Sequence, residues 1–491
     1  MAGKRLLMKK TLAAYANQTR PIIKMETMLV NDLASGKSPL TKPESDLLLY
    51  VLAFAKLRVL HANGRDVAIQ EGVPYFRERL VDAFKSIILE NHGAIDYAEL
   101  RRLIPFLHEE LEKLEMRVLS AHSNDFSQAQ LHAELTQKDL VVVSGGGGGA
   151  GYVYLGAFAA LEQAGLTPQY LIGTSMGSIM SVIRGFSRQF STELALDIIR
   201  GLRWRDVFKL MTVESRYGLP ATMRLYLHSA LQKHFMVGNE PMRLEHLEIP
   251  TEVVVAGIKK GGLPHDISYY EQMLDFSNVP APLQVLSFRK RIGRLYDSLR
   301  EFLNNPNVLK EVVIGREELT QPFDAIDAVG FSSAIPGVIH YDVFREDERM
   351  HGILQHLMAK HNLLRLVDGG IVANVPARSA WIGVQEGKIK RRNAFILALD
   401  CFAPSLNANV LFAPIQHLLL QNVKRDRPYA HYTKAFHEVL SPINLVPRYD
   451  KVVQAVVKGK RSLEKDMPFI QRMMEPIKPP VYYREQGALT A

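Results

Sequence analysis

Cysteine is nearly absent from this chain: Cys401 is the one thiol in 491 residues. That excludes an internal disulfide framework and a thiolate metal cluster, and it fits a reducing compartment. Also missing is any run of the roughly 18 to 20 apolar residues that crosses a bilayer. The best candidate, Leu47 to Ala55, is soon followed by Lys56 and Arg58 and reads as a buried helix. The opening MAGKRLLMKKTLAAYANQTR is basic, but it has only a stub where a secretory signal needs about 7 to 15 apolar residues. The expected location is cytoplasmic or peripheral to a membrane. Aromatics interleaved with base-reading residues are not evident, which disfavours nucleic acid.

What is present belongs to a globular protein, with 47% hydrophobic and 23% charged residues. Sixty basic against 51 acidic side chains give a formal charge of +9, which favours contact with anionic surfaces. The length exceeds one ordinary core.

Residues 1 to about 120 read as helical throughout. Thr41-Lys42-Pro43-Glu44 and Asp96-Tyr97-Ala98-Glu99 have capping-box spacing, and Phe76, Leu80, Phe84, Ile87 and Ile88 share one helical face. No chemistry is visible there, so this region is expected to dock or to dimerise, a route to a homo-oligomer. Residues 121–138 are polar and read as a linker. Short β-branched runs then alternate with helices at Leu140 to Val143, Tyr170 to Ile172, Glu252 to Val255 and Phe395 to Leu399, which predicts an α/β domain with a mostly parallel sheet covered on both faces. The expected divisions are a helical N-terminal region and linker over 1–137, the main domain over 138–402, and a helical extension with a loose tail over 403–491.

Five consecutive glycines, Gly145 to Gly149, follow the first strand. Gly146-x-Gly148-x-x-Gly151 matches a dinucleotide fingerprint, but the second strand ends without the acid that would hold a ribose, and no Gly-Lys-Ser/Thr follows. That second strand ends instead in Gly173-Thr174-Ser175-Met176-Gly177. In a strand-to-helix turn, G-x-S-x-G projects a nucleophilic serine at a helix N-terminus. A tetrahedral oxyanion needs preorganised amides that approach closely, which gives the bare backbone of Gly146, Gly147 and Gly148 a purpose. The best base downstream is Asp368, which follows an apolar run and precedes Gly369 and Gly370. Partial desolvation at such a strand end would raise its pKa.

With these three motifs the sequence resembles the patatin-like phospholipase family, in the order glycine-rich loop, G-x-S-x-G and distant D-G-G. The segments GAFAALEQAG, SRYGLPATMRLYL and SSAIPGV, together with Asn374 and Pro376, extend the likeness over about 138 to 402. The resemblance implies a three-layer patatin-like hydrolase core, Ser175 as nucleophile and Asp368 as base of a Ser-Asp dyad, and the Gly146 to Gly148 amides as oxyanion hole. It also implies a lipid ester as substrate and no cofactor. Ala150 stands where many bacterial and plant members carry Arg or Lys. A patatin-fold scaffold or lipid-binding protein with weak turnover is the alternative reading, and a dinucleotide-binding protein ranks below it.

Two further features bear on partners. His351, His356 and His361 recur in steps of five, which rotates them apart on a helix and away from a common metal. Leu283 to Phe302 interleaves leucines with Arg289, Lys290, Arg291, Arg294 and Arg300, which suits either a basic amphipathic helix on anionic lipid or an ordinary solvated face.

Overall fold

Thr41 accepts the amide of Glu44 while the Glu44 carboxylate reaches back to the Thr41 amide, and this reciprocal cap opens a helix. A computed structural model describes the chain over residues 2–91, 93–210, 215–274, 305–402 and 421–481. The basic stretch Leu283 to Phe302 and His417 lie outside the described residues. The chain forms two units that do not follow it linearly: residues 1–140, 382–395 and 466–491 make one, and residues 141–381 and 396–465 the other.

The first unit contains α1 (Ala2–Ala34), α2 (Lys42–Ala55), α3 (Val73–Phe84), α4 (Tyr97–Ala121) and α5 (Gln128–Thr136). Phe76, Leu80, Phe84, Ile87 and Ile88 are all buried, as their spacing predicts. Asp96 caps α4 by accepting the amides of Ala98 and Glu99. Two expectations are corrected. The region is not helical throughout, because β1 (Val59–Ala62) and β2 (Arg65–Ala68) form an antiparallel hairpin. Its two-residue turn is Asn63-Gly64, both at positive φ, the backbone that matches strand twist. The polar stretch taken as linker contains α5, which opens on a reciprocal cap between Ser127 and Gln130.

The second unit is built on a seven-stranded sheet, mostly parallel and flanked by helices. It comprises β3 (Asp139–Ser144), β4 (Tyr170–Thr174), β5 (Thr251–Lys259), β6 (Leu309–Ile314), β7 (Leu363–Asp368), β8 (Ala394–Asp400) and β9 (Tyr432–Ala435). The order is β6-β5-β4-β3-β8-β9, with β7 also paired to β5. Strands β3, β4, β5 and β8 are apolar along nearly their whole length, as strands covered on both faces must be. Strand β9 falls in the part expected to be a helical extension; it pairs in parallel with β8, so this stretch completes the sheet.

Strand β5 organises the site. Residues 251–254 pair in parallel with β4, ending at Thr174 opposite Val254. Residues 255–259 pair antiparallel with β7, ending at Asp368 opposite Val255. Two strands therefore run toward each other and stop at adjacent residues of a third.

Helices α6 (Val153–Gln163), α7 (Met176–Gly185), α8 (Thr192–Arg200), α9 (Ala325–Ser332) and α10 (Tyr449–Glu464) complete the elements used below. Helix α10 crosses α6 at Gly156 and Gly459. A Cβ at either would come within 1.9 or 2.0 Å of a backbone oxygen of the other helix, so only glycine permits this approach. A separate three-stranded sheet of Phe208–Leu210, Ala221–Leu225 and Gly337–His340 supplies Phe208, Leu225 and Ile339 to the cavity described next.

Candidate active site

Ser175 occupies the turn between β4 and α7 with φ 51° and ψ −130°, a backbone that a residue with a side chain adopts only under constraint. The constraint comes from the flanking glycines. A Cβ at Gly173 would sit 2.6 Å from the Gly177 oxygen, and one at Gly177 would sit 2.2 Å from the Ser144 oxygen. Strand, turn and helix can therefore approach only because both positions are bare, which fits the strand-to-helix reading of this pentapeptide.

A third chain segment fixes the turn. The Ser332 hydroxyl accepts the Ser175 amide at 2.8 Å and donates to the Val254 carbonyl at 2.6 Å. The Ser332 and Ala334 carbonyls also accept the amides of Gly369 and Asp368, at 3.3 and 2.8 Å. One short stretch at the end of α9 thus ties both strand ends to β5. The segment SSAIPGV was visible in the sequence, but this bridging role was not.

Asp368 lies buried at the end of β7, and its Oδ1 accepts the Gly370 amide at 2.7 Å. Burial pushes its carboxyl up to about 6, while the Gly370 amide and the Ser175 hydroxyl pull the other way. Gly369 has to be bare, since a Cβ there would lie 2.2 Å from the Val254 oxygen.

The glycine loop is crowded from several sides. A Cβ at Gly146 would meet Asn374 Oδ1 at 2.7 Å and Ser175 Cβ at 3.2 Å, and one at Gly147 would meet Cys401 Sγ at 2.4 Å. A Cβ at Gly148 or Gly149 would strike the backbone oxygens of Pro442 or Asn444, at 2.2 and 2.1 Å, and one at Gly151 would meet Met176 Cγ at 2.5 Å. The run of glycines is therefore needed for packing as well as for access. Residues 441–446 lie directly on it: Pro442 O accepts the Gly149 amide at 3.0 Å, and Leu445 O accepts the Tyr152 hydroxyl at 3.0 Å. Nothing in the sequence signalled this contact.

The loop amides differ in availability. Gly146, expected to share in an oxyanion hole, donates its amide to the Asn374 carbonyl at 2.9 Å and is already engaged. Among the described residues, the amides of Gly147 and Gly148 have no hydrogen-bond partner. Buried Cys401 packs against this loop, with its thiol pushed up to about 12 by burial.

A cavity opens at Ser175. Its walls include Ile179, Ile183, Ile198, Phe208, Leu231 and Leu445, and among the described residues no charged side chain lines it. Sites with walls of this character take apolar ligands with few polar contacts.

A conventional triad would draw its imidazole from downstream of Asp368; there His431 is buried and its Nδ1 accepts the Ile396 amide at 3.1 Å, on the strand pair β8–β9. Neither His431 nor His437 lines the cavity. His351 meets the Tyr217 hydroxyl at 3.1 Å, whereas His356 meets the Gly352 carbonyl at 2.9 Å, so these two face different surroundings. No helix among the described residues is long and apolar enough to cross a membrane.

Comparison with known proteins agrees with this architecture. The mouse, orangutan (Pongo abelii) and human forms of patatin-like phospholipase domain-containing protein 6 are each 38% identical to the chain over 91 residues, which is 18% of this chain. The matched stretch covers only 6% of those relatives' length. The family model for patatin-like phospholipase matches residues 141–381, the span that holds the glycine loop, Ser175 and Asp368. Residues 141–381 are thus a patatin-like phospholipase domain.

Proposed function

We propose that the chain is a lipid acyl hydrolase that cleaves carboxylic esters through an acyl-Ser175 intermediate, of phospholipase A, lysophospholipase or acylglycerol lipase type. The observation that supports this reading is the convergence of β4 and β7 on Val254 and Val255, which brings the strand end before Ser175 and the strand end at Asp368 to adjacent positions, with Ser175 lining an apolar cavity.

The chemistry follows from the groups present. Asp368 accepts the proton of the Ser175 hydroxyl as Oγ attacks the ester carbonyl, and the C=O electron pair moves onto oxygen. The amides of Gly147 and Gly148 donate to that oxyanion, each such donor contributing about 3 to 4 kcal/mol to lowering the barrier. Collapse expels the alkoxide, which takes the proton from Asp368 and leaves an acyl-serine. Asp368 then takes a proton from water, hydroxide adds to the acyl carbonyl, and Ser175 departs with that proton. An ester alkoxide needs less protonation than an amide nitrogen, so a carboxylate base with a pKa near 6 is adequate. The apolar walls hold the acyl chain, each buried methylene contributing about 0.8 kcal/mol.

Fluorophosphonate labelling tests the reading directly. Wild-type protein should be labelled at Ser175 and should release fatty acid from a lipid panel read by mass spectrometry, and Ser175→Ala should do neither. Labelling without fatty-acid release from any lipid would favour a lipid-binding scaffold.

A further inference from the structure

Two of the segments that wall the cavity each present a different character to solvent. From the first, Ile198, Ile199, Leu202, Val207 and Phe208 face the cavity, while Leu194 and Trp204 are 49% and 44% exposed. From the second, Leu445 and Val446 face the cavity, while Ile443 is 49% exposed. The segments meet where Arg200 donates to the Tyr449 hydroxyl at 3.0 Å and lies over its ring. The Trp204 ring centroid lies 4.5 Å from that of Phe208, with the rings tilted by 35°, so the exposed indole is backed by a cavity wall.

Exposed charges accompany these apolar tips along both segments, cations outnumbering the exposed acids Asp197, Asp206 and Asp450. Arg200, Arg203, Arg205, Lys209, Arg448 and Lys451 are all exposed. Asp197 and Asp450 are engaged by Arg200 and Arg448 at 3.2 and 3.0 Å, whereas Arg203 and Arg205 make no ion pair among the described residues. Isolated apolar side chains on a surface are ordinary, but a half-exposed tryptophan set among arginines is what a bilayer interface favours. The indole sits at headgroup level, and each nearby cation gains from anionic lipid.

We infer that residues 194–209 and 441–451 form a docking surface for an anionic lipid bilayer, which seats the rim of the cavity on the membrane that supplies its substrate. The inference rests on the reading of the cavity as an acyl site, and it depends on a surface distinct from the catalytic groups. Arg203 and Arg205 interact with headgroups, and Trp204, Leu194 and Ile443 enter the interface, so an acyl chain passes from lipid to cavity without crossing bulk water.

The full chain carrying Ser175→Ala, which cannot turn lipid over, is mixed with vesicles of phosphatidylcholine alone or with added phosphatidylserine. Trp204 reports directly, because Trp381, the other tryptophan, is buried. Fluorescence should shift to the blue and be quenched by brominated acyl chains on anionic vesicles, and both effects should weaken with salt. Adding Arg203→Glu and Arg205→Glu should lower partition by roughly tenfold or more. The same double change in otherwise wild-type protein should alter kcat/KM on a dispersed short-chain ester by less than about twofold. Absence of binding to anionic vesicles, or binding unaffected by the charge reversal, overturns the docking surface and would leave a protein partner as the occupant. Failure of the wild type to cleave the soluble ester would overturn the hydrolase reading instead, with partition still deciding the docking question.

Discussion

Thr174 and Asp368 stand opposite Val254 and Val255, consecutive residues of one strand, although they are far apart in the chain and belong to strands of opposite direction. The serine that follows Thr174 is therefore positioned by sheet register rather than by loop conformation. A slip of one residue in β7 would turn Asp368 to the other face of the sheet.

Asp368 should show its environment in both activity and stability. As the proposed base, Asp368 has to be ionised, so kcat/KM on a soluble ester should fall about tenfold per pH unit below about 6 and be flat above it. Stability should move the other way. With the folded-state pKa raised above its unfolded value, the protonated form is favoured on folding, and stability declines as pH rises through that window. Asp368→Asn cannot titrate, so it should be inactive yet more stable than wild type at pH 8, by on the order of 2–3 kcal/mol, with the difference vanishing near pH 3. Thermal melts at the two pH values check this.

Ser332 holds the Ser175 amide and the Val254 carbonyl with one hydroxyl. Ser332→Ala leaves a buried amide without its acceptor, a loss of about 1 to 3 kcal/mol. The expected result is a drop in kcat of roughly 10- to 100-fold with KM little changed, and slower fluorophosphonate labelling of a folded protein. Loss of structure by circular dichroism, with normal turnover in the folded fraction, would show that Ser332 only stabilises.

Gly147 and Cys401 should couple. A methyl on Gly147 would meet the Cys401 sulfur at 2.4 Å, so Gly147→Ala should impair turnover. Cys401→Ala removes that sulfur and should restore much of the loss in the double variant, while costing little alone. Four-way comparison of labelling rates gives the interaction energy, and strict additivity would refute the contact.

Leu445 lines the cavity from a stretch beyond the family match. Leu445→Trp should shorten the available space and shift preference toward short acyl esters. Each excluded methylene is worth about 0.8 kcal/mol, or about fourfold in relative kcat/KM. Competition between butyryl and palmitoyl esters reads the shift.

Histidine should be dispensable to catalysis. His431→Ala, His437→Ala and His417→Ala are each expected to keep most turnover. A folded variant as inactive as Ser175→Ala would replace the dyad with a triad.

Much of this site was legible because its residues sit in motifs whose local geometry is self-sufficient. Gly173, Ser175 and Gly177 define a turn on their own, and Asp368-Gly369-Gly370 reads as a strand end. Strands β3, β4, β5 and β8 were legible as apolar runs. The hairpin of β1 and β2 was missed although Asn63-Gly64 signals it, because helical periodicity on either side dominated the reading. The helix after Ser127 was overlooked in a polar stretch whose cap outweighs its weak periodicity. The Ser332 bridge and the roof of residues 441–446 depend on contacts between distant segments, for which a single sequence carries no local signal. The loop amides illustrate the same limit: Gly146 looked equivalent to its neighbours until Asn374 was seen to engage it.

Strand β3 lies inside the sheet, between β4 and β8. The match to the family model stops at residue 381, before β8 begins at Ala394. Cutting the chain to the matched span would expose the edge of an almost wholly apolar strand and strip the roof from a loop of bare glycines. Such an edge templates pairing between molecules. The span matched by the family model and the span needed for folding therefore differ here, and expression of residues 141–381 alone should give aggregate rather than a minimal folded domain.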